Sequence, residues 1–331
     1  MSERRHVVRI HRTGGPEVLA YEEDALPPPG AGEVQLRQSA IGLNFIDVYH
    51  PTGLYPLPLP GVLGREAAGV VEAVGAGVLG FAAGDRVAYP MSAGAYATRR
   101  NVRADDLVRL PDAIEDETAA AMMLKGLTAW YLLRRTFPVE KGTTVLIHAA
   151  AGGVGLLACQ WAAALGATVL GTVGSKAKAD LAAAHGCRHP IDYTQEDLVA
   201  RVRQLTTGRG VDVVYDSVGK DTFPRSLDCV RPKGLVALFG QSSGPVPPFD
   251  LQVLAHKGSL FVTRPSLAAY IAEKSELRAG AAELFDVVAR GAVKVEVGRS
   301  YPLHEVQQAH RDLEARKTTG STILLPRDRH Q

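Results

Sequence analysis

The chain has 331 residues, of which 46% are hydrophobic and 22% charged, a composition suited to a globular protein of two domains. Its net charge of +2 provides no large field to attract nucleic acid or an anionic membrane. No apolar run is long enough to span a bilayer, and the N-terminus lacks the apolar core of a signal peptide. The cysteines Cys159, Cys187 and Cys229 form no CxxC pair or disulfide framework. We therefore expect the protein to reside in the reducing cytoplasm.

The first third of the chain is predicted to be rich in β-structure. Residues 33–37 alternate in polarity, residues 69–74 form another strand candidate, and clusters of proline and glycine separate such runs. A helix is predicted over residues 116–123, and a second helix follows after Gly126 and runs through Trp130 to Leu133.

From residue 143 the pattern changes to alternating strands and helices. Such alternation implies a doubly wound parallel sheet with right-handed crossovers. The predicted strands are residues 145–149, 169–173, 211–217, 235–240 and 259–264, with a closing strand at 322–325. The predicted helices are residues 156–165, 177–185, 196–206, 223–230, 275–289 and 305–315.

A glycine-rich turn joins the first of these strands to its helix. Residues 148–155 read HAAAGGVG, which fits G-x-G-x-x-G when Ala150 takes the first place and Gly152 and Gly155 the others. Small residues let the backbone turn tightly and approach a pyrophosphate, which the free N–H groups of the helix start can bind. The sequence therefore predicts a nicotinamide-dinucleotide site. The alternative is a glycine-rich helix start without a ligand.

The end of the second strand indicates which nicotinamide cofactor would bind. An NAD site usually has Asp or Glu here to hold the ribose 2′-hydroxyl, whereas this chain has Gly174 and Ser175, with Lys178 just beyond. Serine and lysine can bind a 2′-phosphate that an acidic residue would repel. We therefore predict NADPH rather than NADH. The alternative for Lys176 and Lys178 is an ordinary solvated first helical turn.

Several segments together resemble a known family. The order of a β-rich N-terminal region and a central AAAGGVG unit resembles the medium-chain dehydrogenase/reductases, and within them the zinc-free quinone oxidoreductases of the zeta-crystallin group, the bacterial NADPH-dependent members most closely. The segments that carry the resemblance span nearly the whole chain: residues 40–49 (AIGLNFIDVY), 124–129 (LKGLTA), 148–155, 214–219 (VYDSVG), 239–244 (FGQSSG) and 262–266 (VTRPS).

The resemblance implies an α/β fold with a central Rossmann sheet and a discontinuous, β-rich, GroES-like catalytic domain. It places the catalytic domain at residues 1–125 and 266–331 and the NADPH-binding domain at residues 126–265. It implies NADPH-dependent reduction of quinones in the interdomain cleft, by transfer of hydride or electrons from nicotinamide C4. A quinone needs little Lewis-acid polarisation because its reduced form is aromatic, so the protein mainly positions the reactants.

Zinc-dependent relatives carry a Cys near the position of Asn44 and a Gly-His-Glu motif, which here reads Gly64-Arg65-Glu66. Arginine does not ligate zinc at ordinary pH, and asparagine is a poor substitute for a thiolate. No cysteine lies before Cys159, so the four-cysteine lobe of structural zinc is also missing from the sequence. We therefore predict no metal site.

The resemblance also carries over a set of site residues. Four of them are predicted to line the catalytic region, where Asn44 and Tyr55 can donate hydrogen bonds to a developing oxyanion: Asn44, Asp47, Tyr49 and Tyr55. The predicted cofactor contacts are Asn44, Lys125, Thr128, Ala151, Gly152, Gly153, Val154, Gly174, Ser175, Lys178, Tyr193, Ser217, Phe239, Gly240, Gln241, Ser242, Arg264 and Arg316. Gln241 departs from the Asn often found at its position in the family. His148 is predicted to pack rather than to catalyse.

Two other functions stay open at this point. One is reduction of an α,β-unsaturated aldehyde or ketone by NADPH, with Tyr49 or Tyr55 as proton donor. The other, from a different class, is a nucleic-acid-binding or crystallin-like structural protein, which the near-neutral charge disfavours. Relatives also pair the sheet edge near residues 259–264 across a two-fold axis, so the resemblance implies a homodimer.

Overall fold

The computed structural model describes residues 3–326, and the chain divides into two compact units. The first unit comprises Met1–Lys125, Glu273–Phe285 and Val295–Gln331, and the second comprises Gly126–Ala272 and Asp286–Lys294. The first change of unit lies between residues 125 and 126. The second lies between residues 272 and 273, and residues 286–294 return to the second unit. The separate functions assigned to the domains stay predictions.

The strands, in chain order, are β1 (Glu3–Ile10), β2 (Ala20–Leu26), β3 (Glu33–Leu43), β4 (Gly61–Val62), β5 (Glu66–Val74), β6 (Arg86–Tyr89), β7 (Arg99–Arg103), β8 (Val108–Arg109), β9 (Thr144–Ile147), β10 (Thr168–Val173), β11 (His189–Asp192), β12 (Val211–Asp216), β13 (Val230–Leu238), β14 (Phe261–Thr263), β15 (Val297–Pro302) and β16 (Ser321–Leu325). The helices are α1 (Phe45–Tyr49), α2 (Asp116–Tyr131), α3 (Gly153–Ala164), α4 (Lys176–Ala184), α5 (Leu198–Leu205), α6 (Phe223–Cys229), α7 (Gln252–His256), α8 (Leu267–Tyr270), α9 (Lys274–Ala289) and α10 (Val306–Glu314).

The first unit is built around the long strand β3. It pairs antiparallel with β5, β7 and β16, in a sheet of order β15-β16-β3-β5-β6-β8 with β7 off this path. A smaller sheet has the order β2-β1-β4. Val34, Leu36 and Ile41 of β3 are fully buried and pack with Val8 and Tyr96 in one apolar core. This core fixes the loop after β3, where the predicted catalytic residues begin.

The second unit contains a six-stranded parallel sheet of order β11-β10-β9-β12-β13-β14. This is the strand order of the dinucleotide-binding fold, with α3 and α4 as the first crossovers. Its strands read as near-continuous apolar runs because helices cover a parallel sheet on both faces. Leu146, Leu170, Val214 and Val236 form its centre and are at most 1% exposed. The structure thus confirms the predicted fold class.

The prediction of two helices separated at Gly126 is wrong. A single helix, α2, continues through Gly126 to Tyr131 and is followed by a π-helical turn at Leu132–Thr136. Its neighbours Met123, Leu127 and Trp130 are fully buried. Burial of these side chains outweighs the cost of about 1 kcal/mol that a glycine adds inside a helix.

One strand of the second unit was not predicted. β11 has only four residues and includes Pro190, which weakens its strand pattern. It pairs only with β10 at the edge of the sheet, where a proline is tolerated. β13 also begins earlier than predicted, at Val230, where the sequence pattern favoured the end of a helix.

Candidate active site

The glycine-rich turn of the second unit adopts the predicted strand–turn–helix geometry. After β9 the chain passes through Ala149, whose φ of 52° is left-handed, and α3 begins at Gly153 with Gly152 as its N-cap. A Cβ on Gly155 would lie 2.2 Å from the carbonyl oxygen of Ala149, so only glycine fits there. The first N–H groups of a helix have no intrahelical acceptor, and no acidic side chain occurs in residues 148–155. This cradle fits the pyrophosphate of a dinucleotide.

Gly174, Ser175, Lys178 and Tyr193 lie together after β10. Ser175 is the N-cap of α4, and its hydroxyl accepts a hydrogen bond from the backbone N–H of Lys178 at 3.4 Å. A Cβ on Gly174 would lie 2.5 Å from the hydroxyl of Tyr193, so the tyrosine stands directly over the glycine. Lys176, in contrast, is exposed and pairs with Asp180 at 3.1 Å. The arrangement presents hydroxyl and ammonium groups but no carboxylate at residues 174–178.

A buried network holds the turns at the ends of β9, β10 and β12. Asp216, fully buried, accepts hydrogen bonds from the backbone N–H groups of Val218 and Gly219 and from the hydroxyls of Thr222 and Ser226. Ser226 lies 3.0 Å from Nε2 of His148, whose Nδ1 lies 3.0 Å from the hydroxyl of Thr172. Burial lowers the pKa of His148, so the ring is neutral and links the three strands. The role of Asp216 was not predicted, although the residue stands at the end of an apolar run in the sequence.

The same network positions the loop predicted to run past the nicotinamide. Backbone hydrogen bonds join Phe239 to the carbonyl of Asp216 at 2.8 Å, and Ser242 to the carbonyl of Ser217 at 3.2 Å. Gly240 and Gln241 lie between them in sequence, and Arg264 donates to the carbonyl of Leu238 at 3.0 Å. The structure therefore brings these six predicted cofactor residues to one end of the parallel sheet. Their contact with a cofactor stays a prediction.

In the first unit, Asn44 belongs to a buried polar cluster around Glu66. Glu66 Oε1 accepts hydrogen bonds from Asn44 Nδ2 at 2.8 Å and from Lys125 Nζ at 2.9 Å. Glu66 Oε2 accepts from the backbone N–H of Leu124 at 2.5 Å. Glu66 is fully buried, and Asn44 and Lys125 are each 6% exposed. Lys125 was predicted to contact the cofactor, but its pairing with Glu66 was not predicted.

Asp47 lies beside this cluster in an unusual environment. Its Oδ2 accepts from the backbone N–H of Asn44 at 2.9 Å and from the hydroxyl of Tyr96 at 3.2 Å. Its Oδ1 is buried and has no hydrogen-bond partner among the described residues. Burial raises the pKa of Asp47 to about 7, and the nearby Glu66 carboxylate adds to this rise, while the N–H of Asn44 opposes it. The Tyr96 hydroxyl also lies 3.1 Å from Nε2 of His310, whose pKa burial lowers to about 3.

The two predicted catalytic tyrosines are joined to one another and to a histidine. The backbone N–H of Tyr55 donates to the carbonyl of Tyr49 at 3.0 Å, and their rings meet edge to face at 5.3 Å. The ring of His50 lies 6.0 Å from that of Tyr55. Both tyrosines are partly exposed. Tyr49, Tyr55 and His50 therefore form one aromatic group beside α1.

The remaining predicted cofactor residues are divided between the units. Thr128 belongs to the second unit and is 6% exposed, while Arg316 belongs to the first unit, where it is exposed with a left-handed φ of 57° in the turn after α10. Whether Arg316 meets Ser175 and Lys178 at a cofactor phosphate stays a prediction.

Both charged residues of the Gly64-Arg65-Glu66 motif have side-chain partners within the first unit. Arg65 Nη2 donates to His50 Nε2 at 2.7 Å, and Lys125 pairs with Glu66. The three cysteines are buried and free. Within residues 3–326, no cluster of three or more His, Cys, Asp or Glu side chains is arranged to hold a metal ion, and no helix is long and apolar enough to cross a membrane.

Comparison with known proteins identifies the family. The alcohol dehydrogenase GroES-like domain matches residues 30–112, and the zinc-binding dehydrogenase domain matches residues 153–286. The chain is 54% identical to a quinone oxidoreductase of Pseudomonas aeruginosa, covering 95% of this chain and 97% of that protein. The chain belongs to the quinone oxidoreductase family of the medium-chain dehydrogenase/reductases.

Two further relatives show that members of the family carry different substrate names. The crystal structure of Escherichia coli quinone oxidoreductase in complex with NADPH has a TM-score of 0.95 and 50% identity, covering 97% of this chain and all of that one. A 2-haloacrylate reductase of a Burkholderia species is 46% identical, covering 96% of this chain and 98% of that protein. The family thus includes reductases named for quinones and for a halogenated unsaturated acid.

Proposed function

We propose that this chain is an NADPH-dependent quinone oxidoreductase. The observation that carries the proposal is the segment after β10. Residues 174–178 include Ser175 and Lys178 but no carboxylate, and the Tyr193 hydroxyl lies over Gly174. In the preceding turn, position 155 has room only for glycine. Membership of the quinone oxidoreductase family supports the acceptor. Overall, one quinone, one NADPH and one proton would give one hydroquinone and NADP⁺.

Each group of residues has a proposed task. The α3 N-terminus and residues 151–154 would bind the pyrophosphate, and Ser175 and Lys178 the 2′-phosphate. Bound NADPH supplies the hydride or the electrons. Asn44, fixed by Glu66, would present its amide to the acceptor oxygen, while Tyr49 and Tyr55 would hold the acceptor ring. Since Asn44 and Arg65 stand where zinc-dependent relatives carry ligands, we propose that the reaction proceeds without zinc. We also propose that the protein acts in the cytoplasm.

The test is oxidation of NADPH and NADH, followed by the absorbance of the reduced nicotinamide, with 1,4-benzoquinone as acceptor. Rapid oxidation of NADPH and much slower oxidation of NADH are expected. Tight NADPH binding without turnover of several quinones would contradict the acceptor assignment. Absence of binding to either nucleotide would contradict the enzyme assignment as a whole.

A second candidate function is the reduction of activated alkenes, favoured by the relationship to the 2-haloacrylate reductase. That reaction requires a proton donor for the α-carbon, and Tyr49 and Tyr55 are partly exposed residues with hydroxyl groups. We expect Tyr55→Phe to reduce enone turnover by about 100-fold, the typical value for a general acid, and quinone turnover much less. The measurement compares kcat/KM for an enone and a quinone in both proteins; equal losses would indicate that Tyr55 only positions the acceptor.

We also propose that the protein forms a homodimer through β14. This strand is at the edge of the parallel sheet, and its Phe261 is 62% exposed. Covering an exposed strand edge removes an aggregation hazard. Sedimentation should show a dimer at micromolar concentration, and Phe261→Glu should shift it to monomer. The control Leu79→Glu changes a side chain that is 89% exposed in the first unit and should stay dimeric. A wild-type monomer would disprove the assignment.

A further inference from the structure

Arg65 carries a positive charge that the protein does not compensate with a paired carboxylate. Its Nη2 donates to His50 Nε2 at 2.7 Å, and among residues 3–326 this is the only hydrogen bond of its side chain. Burial and the charge of Arg65 lower the pKa of His50, so the ring accepts this bond as a neutral group. Arg65 is partly exposed, which leaves its other N–H donors available to a ligand.

Three other arginines of the first unit have carboxylate partners or several hydrogen-bond acceptors. Arg86 pairs with Asp116 at 2.7 Å, and Arg99 pairs with Glu72 at 2.9 Å. Arg100 lacks a carboxylate but donates to the hydroxyl of Tyr89 and to both the carbonyl and the hydroxyl of Ser92. Within the part of the chain that the structure describes, the guanidinium of Arg65 is partly buried and has a neutral ring as its one partner, an arrangement that packing alone does not require.

The nearby carboxyl groups do not neutralise Arg65. The charge of Glu66 is compensated by Lys125, and its oxygens also accept from Asn44 and Leu124. Asp47 is buried, forms no ion pair with Arg65, and has its pKa raised to about 7, so around neutral pH much of it carries no charge. The other titratable neighbours, Tyr96 and His310, have their pKa values shifted toward the neutral form. The region around Arg65 therefore carries a net positive charge while Asp47 is protonated.

Arg65 is connected to the proposed acceptor residues by direct contacts within the first unit. It precedes Glu66, which holds the Asn44 amide at 2.8 Å. Its partner His50 packs edge to face against the ring of Tyr55. A substituent on an acceptor held by Asn44 and Tyr55 would therefore come within reach of the guanidinium.

We propose that Arg65 is a specificity residue that binds an anionic substituent of the acceptor, a carboxylate or sulfonate on the quinone ring. A guanidinium matches the geometry of such groups with two parallel hydrogen bonds. This inference rests on the proposed quinone reduction. Arg65 would select among acceptors by their charge, and the reduction of quinones in general does not require such selection.

The experiment compares 1,4-naphthoquinone with its 2-sulfonate in the wild type, Arg65→Leu and Arg65→Lys. The intrinsic reactivities of the two quinones cancel when the ratio of their kcat/KM values is compared between proteins. We expect Arg65→Leu to lower this sulfonate-to-neutral ratio about tenfold, the equivalent of one hydrogen bond to a charged group, and Arg65→Lys to restore part of it. Arg103→Leu removes the same charge from an exposed site of the first unit and should keep the wild-type ratio.

Two further readouts separate the possible explanations. The dissociation constant of NADPH, itself an anion, is measured for every variant, so that a change in cofactor binding is not mistaken for one in acceptor binding. In the wild type the sulfonate ratio should fall above pH 7, as Asp47 ionises beside Arg65, and should fall with added salt. A ratio that Arg65→Leu leaves unchanged, within twofold, would overturn the proposal.

The outcome stays interpretable if the proposed function fails. Calorimetry with 2-naphthalenesulfonate and the uncharged 2-naphthol measures binding without turnover. Stronger binding of the sulfonate that is lost in Arg65→Leu would support the anion site even if no quinone is reduced. Equal binding of the two compounds in both proteins would overturn it. If 1,4-naphthoquinone is turned over but the sulfonate-to-neutral ratio does not depend on Arg65, quinone reduction stands and the anion site at Arg65 is disproved.

Discussion

Replacing Lys178 by alanine is expected to lower kcat/KM for NADPH about tenfold and to leave the value for NADH almost unchanged. The reason is the loss of a charged hydrogen bond to the 2′-phosphate, which contributes roughly 1.5–3 kcal/mol, taken at the lower end because Lys178 is partly exposed. Adding Ser175→Asp should bring the total loss for NADPH to about 100-fold or more, since a carboxylate repels the phosphate. The value of kcat/KM for NADH should rise, because the new carboxylate can bind the ribose 2′-hydroxyl.

The chain offers a matched control on the same turn of α4. Lys176→Ala removes a lysine that is exposed and paired with Asp180. It should change kcat/KM for NADPH and for NADH by no more than about twofold each. Aspartate is also a good N-cap residue, so Ser175→Asp preserves the start of the helix. Steady-state kinetics with both cofactors and 1,4-benzoquinone give the comparison. Equal losses for NADPH and NADH would show that the variants disturb the fold rather than a phosphate site.

The second unit could be predicted from its sequence because its signals are local. Apolar runs mark β9, β10 and β12, and the glycine turn follows β9 without interruption. What failed there was also local: Gly126 suggested a break that the burial of Met123 and Leu127 overrides, and Pro190 concealed a short edge strand. Tertiary packing decides such cases, and no periodicity in the sequence records it.

The polar cluster of the first unit could not be derived in the same way. Glu66 and Lys125 are 59 positions apart, and Tyr96 and His310 are 214 positions apart. No spacing rule joins residues so distant, and resemblance to a family identified Asn44, Asp47 and Lys125 without their partners. Arg65 was noted only because it is not a zinc ligand. Its contact with His50 follows from the fold of the loop after α1, which the sequence does not specify.

The charge state of Asp47 predicts a stability profile that the substitution Asp47→Asn should change. A carboxyl whose pKa rises from 3.8 to about 7 on folding keeps its proton in the folded state while the unfolded chain loses it. The contribution of this group to the free energy of unfolding is therefore complete below pH 4. It falls as the pH rises from about 4 to 7 and stays at its lower level above pH 7. Asparagine has nearly the same shape and does not ionise, so the variant lacks this loss.

Urea unfolding of both proteins between pH 5 and pH 8 measures the effect. The difference in unfolding free energy, Asp47→Asn minus wild type, should rise with pH by up to about 1.4 kcal/mol per unit until pH 7 and then level off. Asp105→Asn, which alters an exposed carboxylate of the same unit, is the control for the loss of a carboxylate in general. A flat difference for Asp47→Asn would mean that Asp47 ionises as readily in the folded protein as in the unfolded chain. The carboxylate would then compensate part of the charge of Arg65 at neutral pH, and selection for anionic acceptors would be weaker there.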